Sequence, residues 1–182
     1  MSAPRQCGDI LVTPSFQIVG LVRFSFATIG SFYPGFDTVE DMERFLFDPA
    51  RLHRRFALFE AFCLPSLRYQ TNPDFTCILL VGQGMPTVWK DRLYGLTADV
   101  PAIRLVEAAP QHHYSGIKNT LLDHPGDGHS HRITFRFDDD DALDSDFIAL
   151  LHSYAPRLID LSGADIPVVL SHNKGLYVER KN

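Results

Sequence analysis

Cysteine is scarce in this chain of 182 residues: Cys7, Cys63 and Cys77 are an odd count with no CxxC spacing. That argues against a disulfide framework and against a zinc ribbon. Cys63 and Cys77 fall on apolar faces and read as small core residues. The expected compartment is therefore the reducing cytoplasm. Long hydrophobic runs are also lacking, and none here reaches the length that spans a bilayer. Met1 to Asp9 is polar and carries no signal-peptide pattern. Excess basic charge is missing as well: 17 Lys and Arg face 22 Asp and Glu, a formal charge of -5. Nucleic acid is not an expected partner, because its binding rests on a basic surface. The densest local basic patch is Arg51, Arg54 and Arg55. Neither a Walker-type loop nor a Ser/His/Asp nucleophile motif occurs.

What is there is ordinary globular composition, 45% hydrophobic and 21% charged. The length suits one domain with a substantial core. We expect a single domain over 1–182 with a loose leader over 1–15, where Pro4, Gly8 and Pro14 break any periodicity. Gln17 to Phe24 is a continuous apolar run, the mark of a strand buried on both faces of a parallel sheet. A loop follows to about Asp37. Asp48 before Pro49 predicts an N-cap and a first helical residue. Leu52, Phe56, Phe59, Phe62 and Cys63 then recur at helical spacing, and Pro65 predicts a kink. Phe75–Val81 is a second buried strand. Pro86 opens a helix through Trp89, Leu93 and Leu96. Ala102–Val106 is a third strand and Ser115–His124 a short helix. Arg132–Phe137 is a fourth strand, and Asp144 caps a helix through Phe147, Leu150 and Leu151. Val168–Leu170 and Leu176–Val178 suit a hairpin. This alternation predicts an α/β fold: a mainly parallel sheet flanked by helices, with an antiparallel edge hairpin.

The fourth strand runs straight into Asp138-Asp139-Asp140-Asp141. Four adjacent carboxylates repel one another unless a cation or water neutralises them. Open α/β sheets bind ligands just beyond the carboxyl ends of their strands, where this run would sit. Hard oxygen ligands suit Mg²⁺ or Mn²⁺, and such an ion also binds a diphosphate. A plain solvated turn before a helix is the competing reading. An EF-hand reading fails, because Ala142 and Leu143 stand where a calcium loop needs an oxygen ligand and a glycine.

Several blocks resemble a bacterial family of rhamnosyltransferases. They are Val19–Ser25, Leu46–Phe56, Cys63–Leu67 and Phe135–Leu143, and the resemblance covers roughly Gln17 to Tyr154. It implies a GT-A-type, Rossmann-like glycosyltransferase. It implies a nucleotide-sugar donor (dTDP-, UDP- or GDP-linked) and a saccharide or other hydroxyl acceptor. Arg23, Phe24 and Ser25 match the family's nucleotide-binding strand and loop, and Lys118 and Asn119 its polar helix before the DxD strand. The DxD motif would be Asp138 to Asp140 or Asp139 to Asp141. The resemblance implies that Asp138 and Asp139 face the nucleotide, and that Asp138, Asp140 and Asp141 are available to the metal. The candidate acceptor base is Asp165 or a carboxylate supplied elsewhere. Two departures stand out. Val81-Gly82-Gln83-Gly84 lacks the acidic residue that often follows the second strand, and the chain is short beyond the DxD helix, as a truncated enzyme would be.

Other residues have weaker readings. His112, His113, His124, His129 and His131 crowd the stretch before the fourth strand and read as loop histidines rather than a zinc site. Arg23 and Arg136 lie in strands, where each could pair with the aspartates or meet a diphosphate. Phe32, Tyr33 and Trp89 could stack on a base, though such rings are more often packing. The rival functions are a metal-dependent phosphoesterase using the same carboxylates and a non-catalytic GT-A-like binding module.

Overall fold

A computed structural model of the protein describes residues 14–30, 35–163, 165–171 and 175–177. Most of the leader, together with Cys7, Phe32, Tyr33 and Val178, lies outside the described residues. Strand β1 (Phe16–Phe24) is buried along almost its whole length. It is flanked in register by β3 (Thr76–Gly82) on one side and β6 (His131–Asp138) on the other, both parallel to it. Strand β4 (Ile103–Ala108) pairs parallel to β3, which gives the order β4-β3-β1-β6. Two short pieces, β2 (Thr28–Ile29) and β5 (Gln111–His112), form a separate parallel pair. The protein therefore has the α/β, Rossmann-like, mainly parallel sheet that its alternating pattern predicts. The predicted edge hairpin is a correction: residues 168–170, 176 and 177 carry no strand.

Helices cover both faces of the sheet. On one lie α2 (Pro49–Leu58), α3 (Leu64–Arg68), α4 (Thr87–Thr97) and α6 (Phe147–Ser162), enclosing the main core. Val22, Phe24, Leu52, Phe56, Phe59, Leu79 and Ile148 are all buried there. Each such side chain contributes roughly 1.5–3 kcal/mol by leaving water. On the other face α5 (His113–Asp123) covers a smaller cluster of Leu21, Phe26 and Leu80. Gly20 allows β1 and β6 to pack: a Cβ there would collide with the Phe135 ring of the neighbouring strand.

Local chemistry explains the helix boundaries. The Asp48 carboxylate accepts the Arg51 N–H at 2.8 Å, with Pro49 in the first turn, as the sequence predicts. Pro65 has no N–H and its ring crowds the carbonyl four residues back. The chain answers with a π-helical turn over Phe59–Cys63, in which the Leu64 N–H reaches Phe59 O. The helix thus passes through Pro65 after one widened turn. Helix α1 (Val39–Leu46) falls where the sequence suggests no element, and Thr38 caps it by accepting the Asp41 N–H at 3.1 Å. Helix α6 starts at Asp146 and not at Asp144; the Asp144 carboxylate instead accepts the Asp146 N–H at 2.8 Å.

Candidate functional site

The carboxyl ends of β1 and β6 place Arg23 beside Asp138, and the two side chains form an ion pair at 3.6 Å. Asp138 is the last residue of β6, with its side chain 47% exposed. Beyond it the chain turns back on itself. The Asp141 N–H bonds Asp138 O at 3.1 Å, and the Asp141 carboxylate accepts the Asp138 N–H at 3.3 Å. Asp141 therefore shapes the turn.

Asp139 points inward and is buried. Arg55, from α2, donates to both of its carboxylate oxygens. The same guanidinium donates to Asp140 at 2.9 Å. That hydrogen bond, set against partial burial, holds the Asp140 carboxyl below its ordinary range. The run thus splits by environment. Asp139 is a structural anchor, while Asp138 and Asp140 keep accessible oxygens. Nothing in the sequence singled out Arg55 from Arg51 and Arg54; its role depends on a contact across 84 positions.

Ser25 follows β1 with φ +50° and a buried side chain. It is the non-glycine residue in the left-handed region among the described residues. Such strain needs surrounding contacts to hold it and concentrates at ligand-binding turns. Arg51 supplies one contact, donating to Ser25 Oγ and to Leu46 O, both at 2.9 Å. Phe24 turns the other way. Its ring is buried against Phe56 and Phe59, with centroids at 4.9 and 5.5 Å, and offers no face to a base. Trp89 stacks on Phe56.

On the α5 side of the sheet, Arg23 and Arg136 both reach His113, the buried first residue of α5. The distances are 3.0 Å from Arg23 Nη1 to Nδ1 and 3.3 Å from Arg136 Nη1 to Nε2. Burial, then the two guanidiniums, push the His113 pKa down and favour the neutral ring. In the sequence His113 reads as one of five crowded histidines. The signal that could have marked it is its place at the start of a helix after a short strand.

Lys118 and Asn119 are exposed on α5, roughly 8 Å along the helix from His113 at 1.5 Å per residue. Asn119 lines a cavity of about 410 Å³ with Ile78, Val106, Glu107 and Thr120. Asp165 lines a groove of about 570 Å³ along β6 and α6, running from Phe16 and His131 to Phe135. Neither cavity includes Asp138–Asp141. The structure thus brings Arg23 and the aspartates to one rim, with Ser25 just beyond the end of β1, while Asn119 and Asp165 line cavities that do not include the aspartate run.

A divalent ion is implied by the DxD resemblance. Among the described residues no three His, Cys, Asp or Glu side chains gather as a ready-made metal cage. The donor chemistry nevertheless suits Mg²⁺ or Mn²⁺: Mg²⁺ commonly takes one or two carboxylates and completes its shell with water and substrate phosphates. Asp138 and Asp140 are the residues that fit that role. No helix among the described residues is long and apolar enough to cross a membrane.

Comparison with known proteins places the chain. A family model described as "Putative rhamnosyl transferase" matches residues 17–182. The chain belongs to this family. No curated protein matches it.

Proposed function

We propose that this member of the rhamnosyl transferase family moves a sugar from a nucleotide-sugar donor to a hydroxyl acceptor, using the carboxyl rim of β1 and β6. Family membership supports glycosyl transfer at the coarse level. The observation that carries the site is the juxtaposition of Arg23 and Asp138 at the ends of two adjacent parallel strands. In open α/β sheets that rim is where ligands bind. The donor is a dTDP-, UDP- or GDP-sugar, and the acceptor a saccharide or another hydroxyl compound.

Each residue has a definite task in this reading. Asp138 and Asp140 hold Mg²⁺ or Mn²⁺, which, when bound, stabilises negative charge growing on the leaving diphosphate. Arg55 and Asp139 fix the turn, so the two outer carboxylates start in place and little ordering is needed on binding. Asp141 closes the turn by accepting the Asp138 N–H. Arg23 orients Asp138 and faces the diphosphate. Ser25 shapes the adjoining loop through Arg51.

Calorimetric titration with UDP, GDP and dTDP, with and without Mn²⁺, tests the reading. The expected result is Mn²⁺-dependent binding of at least one nucleotide and its loss in Asp140→Ala. If the wild-type chain shows no metal-dependent affinity for any of the three, the reading fails.

A further inference from the structure

We propose that the groove between α5 and β4 holds the acceptor, a neutral saccharide. This rests on the proposed transferase reading and gives its hydroxyl partner a place on the molecule. Helix α5 is tied to β6 near both of its ends: Arg136 reaches His113, and Arg132 donates to Leu121 O and His124 O, both at 2.9 Å. Among the described residues, β4 is at the opposite margin of the 4-stranded sheet. The space between α5 and β4 is the cavity of about 410 Å³. Small-molecule sites span roughly 300–1,000 Å³.

The groove has an apolar floor and polar walls. Ile78 and Val106 line the floor. Both lie on the α5 face, Ile78 two residues before Leu80 on β3 and Val106 against the Leu80 cluster. Gln111, Asn119, Asp123 and His124 line the walls. None of these side chains spends a hydrogen bond on another of the described residues. Their neighbours do: Thr120 donates to Gly116 O at 2.7 Å, and Glu107 is held by Lys90. Burial and the guanidiniums of Arg132 and Arg104, set against Asp127, lower the His124 pKa and favour the neutral ring. Carboxamides and a neutral imidazole both donate and accept, as sugar hydroxyls do, and a carboxylate accepts. The apolar floor suits the C–H face of a sugar ring. Charges of both signs stand nearby, Asp123 in the wall and Arg104 acting on His124, so the groove favours neither an anion nor a cation.

One end of the groove meets the donor rim. Gln111 belongs to β5 and stands two residues before His113, within about 7 Å along the chain. His113 touches Arg23 at 3.0 Å, and Arg23 is paired with Asp138. On the other wall, Val106 to Ala108 end β4, with Ala108 level with Gly82 at the end of β3. A saccharide lying in the groove therefore presents one end to the rim where the donor sugar is transferred.

The test is an NMR titration of the full chain, followed on its side-chain amide signals. The probes are the methyl glycosides of glucose, galactose, mannose and rhamnose. Wild type is compared with Gln111→Met, Asn119→Leu and Arg157→Met, the last an exposed arginine on α6. Thermal melts confirm that each variant is folded. The expected result is a saturable shift of the Gln111 and Asn119 amides with at least one probe. Affinity for that probe should fall fivefold or more in Gln111→Met and in Asn119→Leu, and stay unchanged in Arg157→Met. If no probe shifts either amide, or if both folded variants keep wild-type affinity, the acceptor groove is wrong. Mn²⁺-dependent nucleotide binding by the same wild type separates the two readings. Nucleotide binding without a saccharide in the groove leaves the transferase reading standing and removes the acceptor groove. A saccharide in the groove without nucleotide binding leaves a saccharide site and removes the transferase reading.

Discussion

Arg55 and Arg136 approach the aspartate turn from opposite faces of the sheet, and their surroundings differ sharply. Arg55 comes from α2 on the main-core side, where it meets buried Asp139 through two nitrogens and Asp140 through a third. Every one of those contacts is a donor on an acceptor. Arg136 comes from β6 on the α5 side and meets an imidazole that already serves Arg23. The first cluster is internally matched and holds the turn in shape. The second gathers two guanidiniums around one buried imidazole.

The largest expected effect breaks the matched side. Arg55→Ala strands the buried Asp139 carboxylate and should lower stability by about 3–5 kcal/mol in urea unfolding. Arg136→Met, by contrast, should change stability by about 0.5 kcal/mol or less. Equal losses in the two variants would erase the distinction. Next comes the seam between the strands that carry the rim. Gly20→Ala pushes a methyl group into the Phe135 ring and should cost about 1–3 kcal/mol by overpacking. A melt unchanged from wild type would show that β1 and β6 are not packed so closely.

The smallest effects are electrostatic and appear in pH profiles of stability. The His113 pKa is lowered, so the folded state binds fewer protons than the unfolded chain just below pH 6.5. Stability should fall as pH drops from 6.5 through the folded-state value, and His113→Gln should flatten that part of the profile. The Asp140 carboxyl is also lowered, by its bond to Arg55. Its stabilisation is complete above the ordinary value of 3.8 and should be lost as pH falls below it. Asp140→Asn should reduce the acid limb, to which Asp41 also contributes, while leaving the one near neutrality. An identical profile in all three proteins would show that neither group is linked to folding.

The sheet was legible in the sequence because its strands carry their own signal. The run from Ile18 to Val22 is uncharged and largely aliphatic, and β1 is buried on both faces. Helix α2 was legible through Asp48-Pro49, a local signal that needs no tertiary partner. Helix α1 escaped because it is eight residues long and buries only Met42 and Leu46. The hairpin near the C-terminus was inferred from turn residues and apolar neighbours, which also describe a segment such as 165–170 that lines a groove with α6 and forms no strand. At the site, the aspartate run and Arg23 could be placed at the rim from strand order alone. The division of labour within the run could not. It depends on which carboxylate α2 reaches, and α2 lies more than eighty positions away in sequence. His113 escaped for the same reason: both its guanidinium neighbours are remote in sequence, one of them 90 positions away.

Among the described residues, strand β6 is the outermost strand on its side of the sheet and is joined to it through β1. Its end is tied to β1 by Arg23 and to α2 by Arg55. A molecule gripped at once by Arg23 on the inner strand and by Asp138 on the outer one would act as a rivet across that seam. Occupancy and the order of the sheet margin would then rise and fall together.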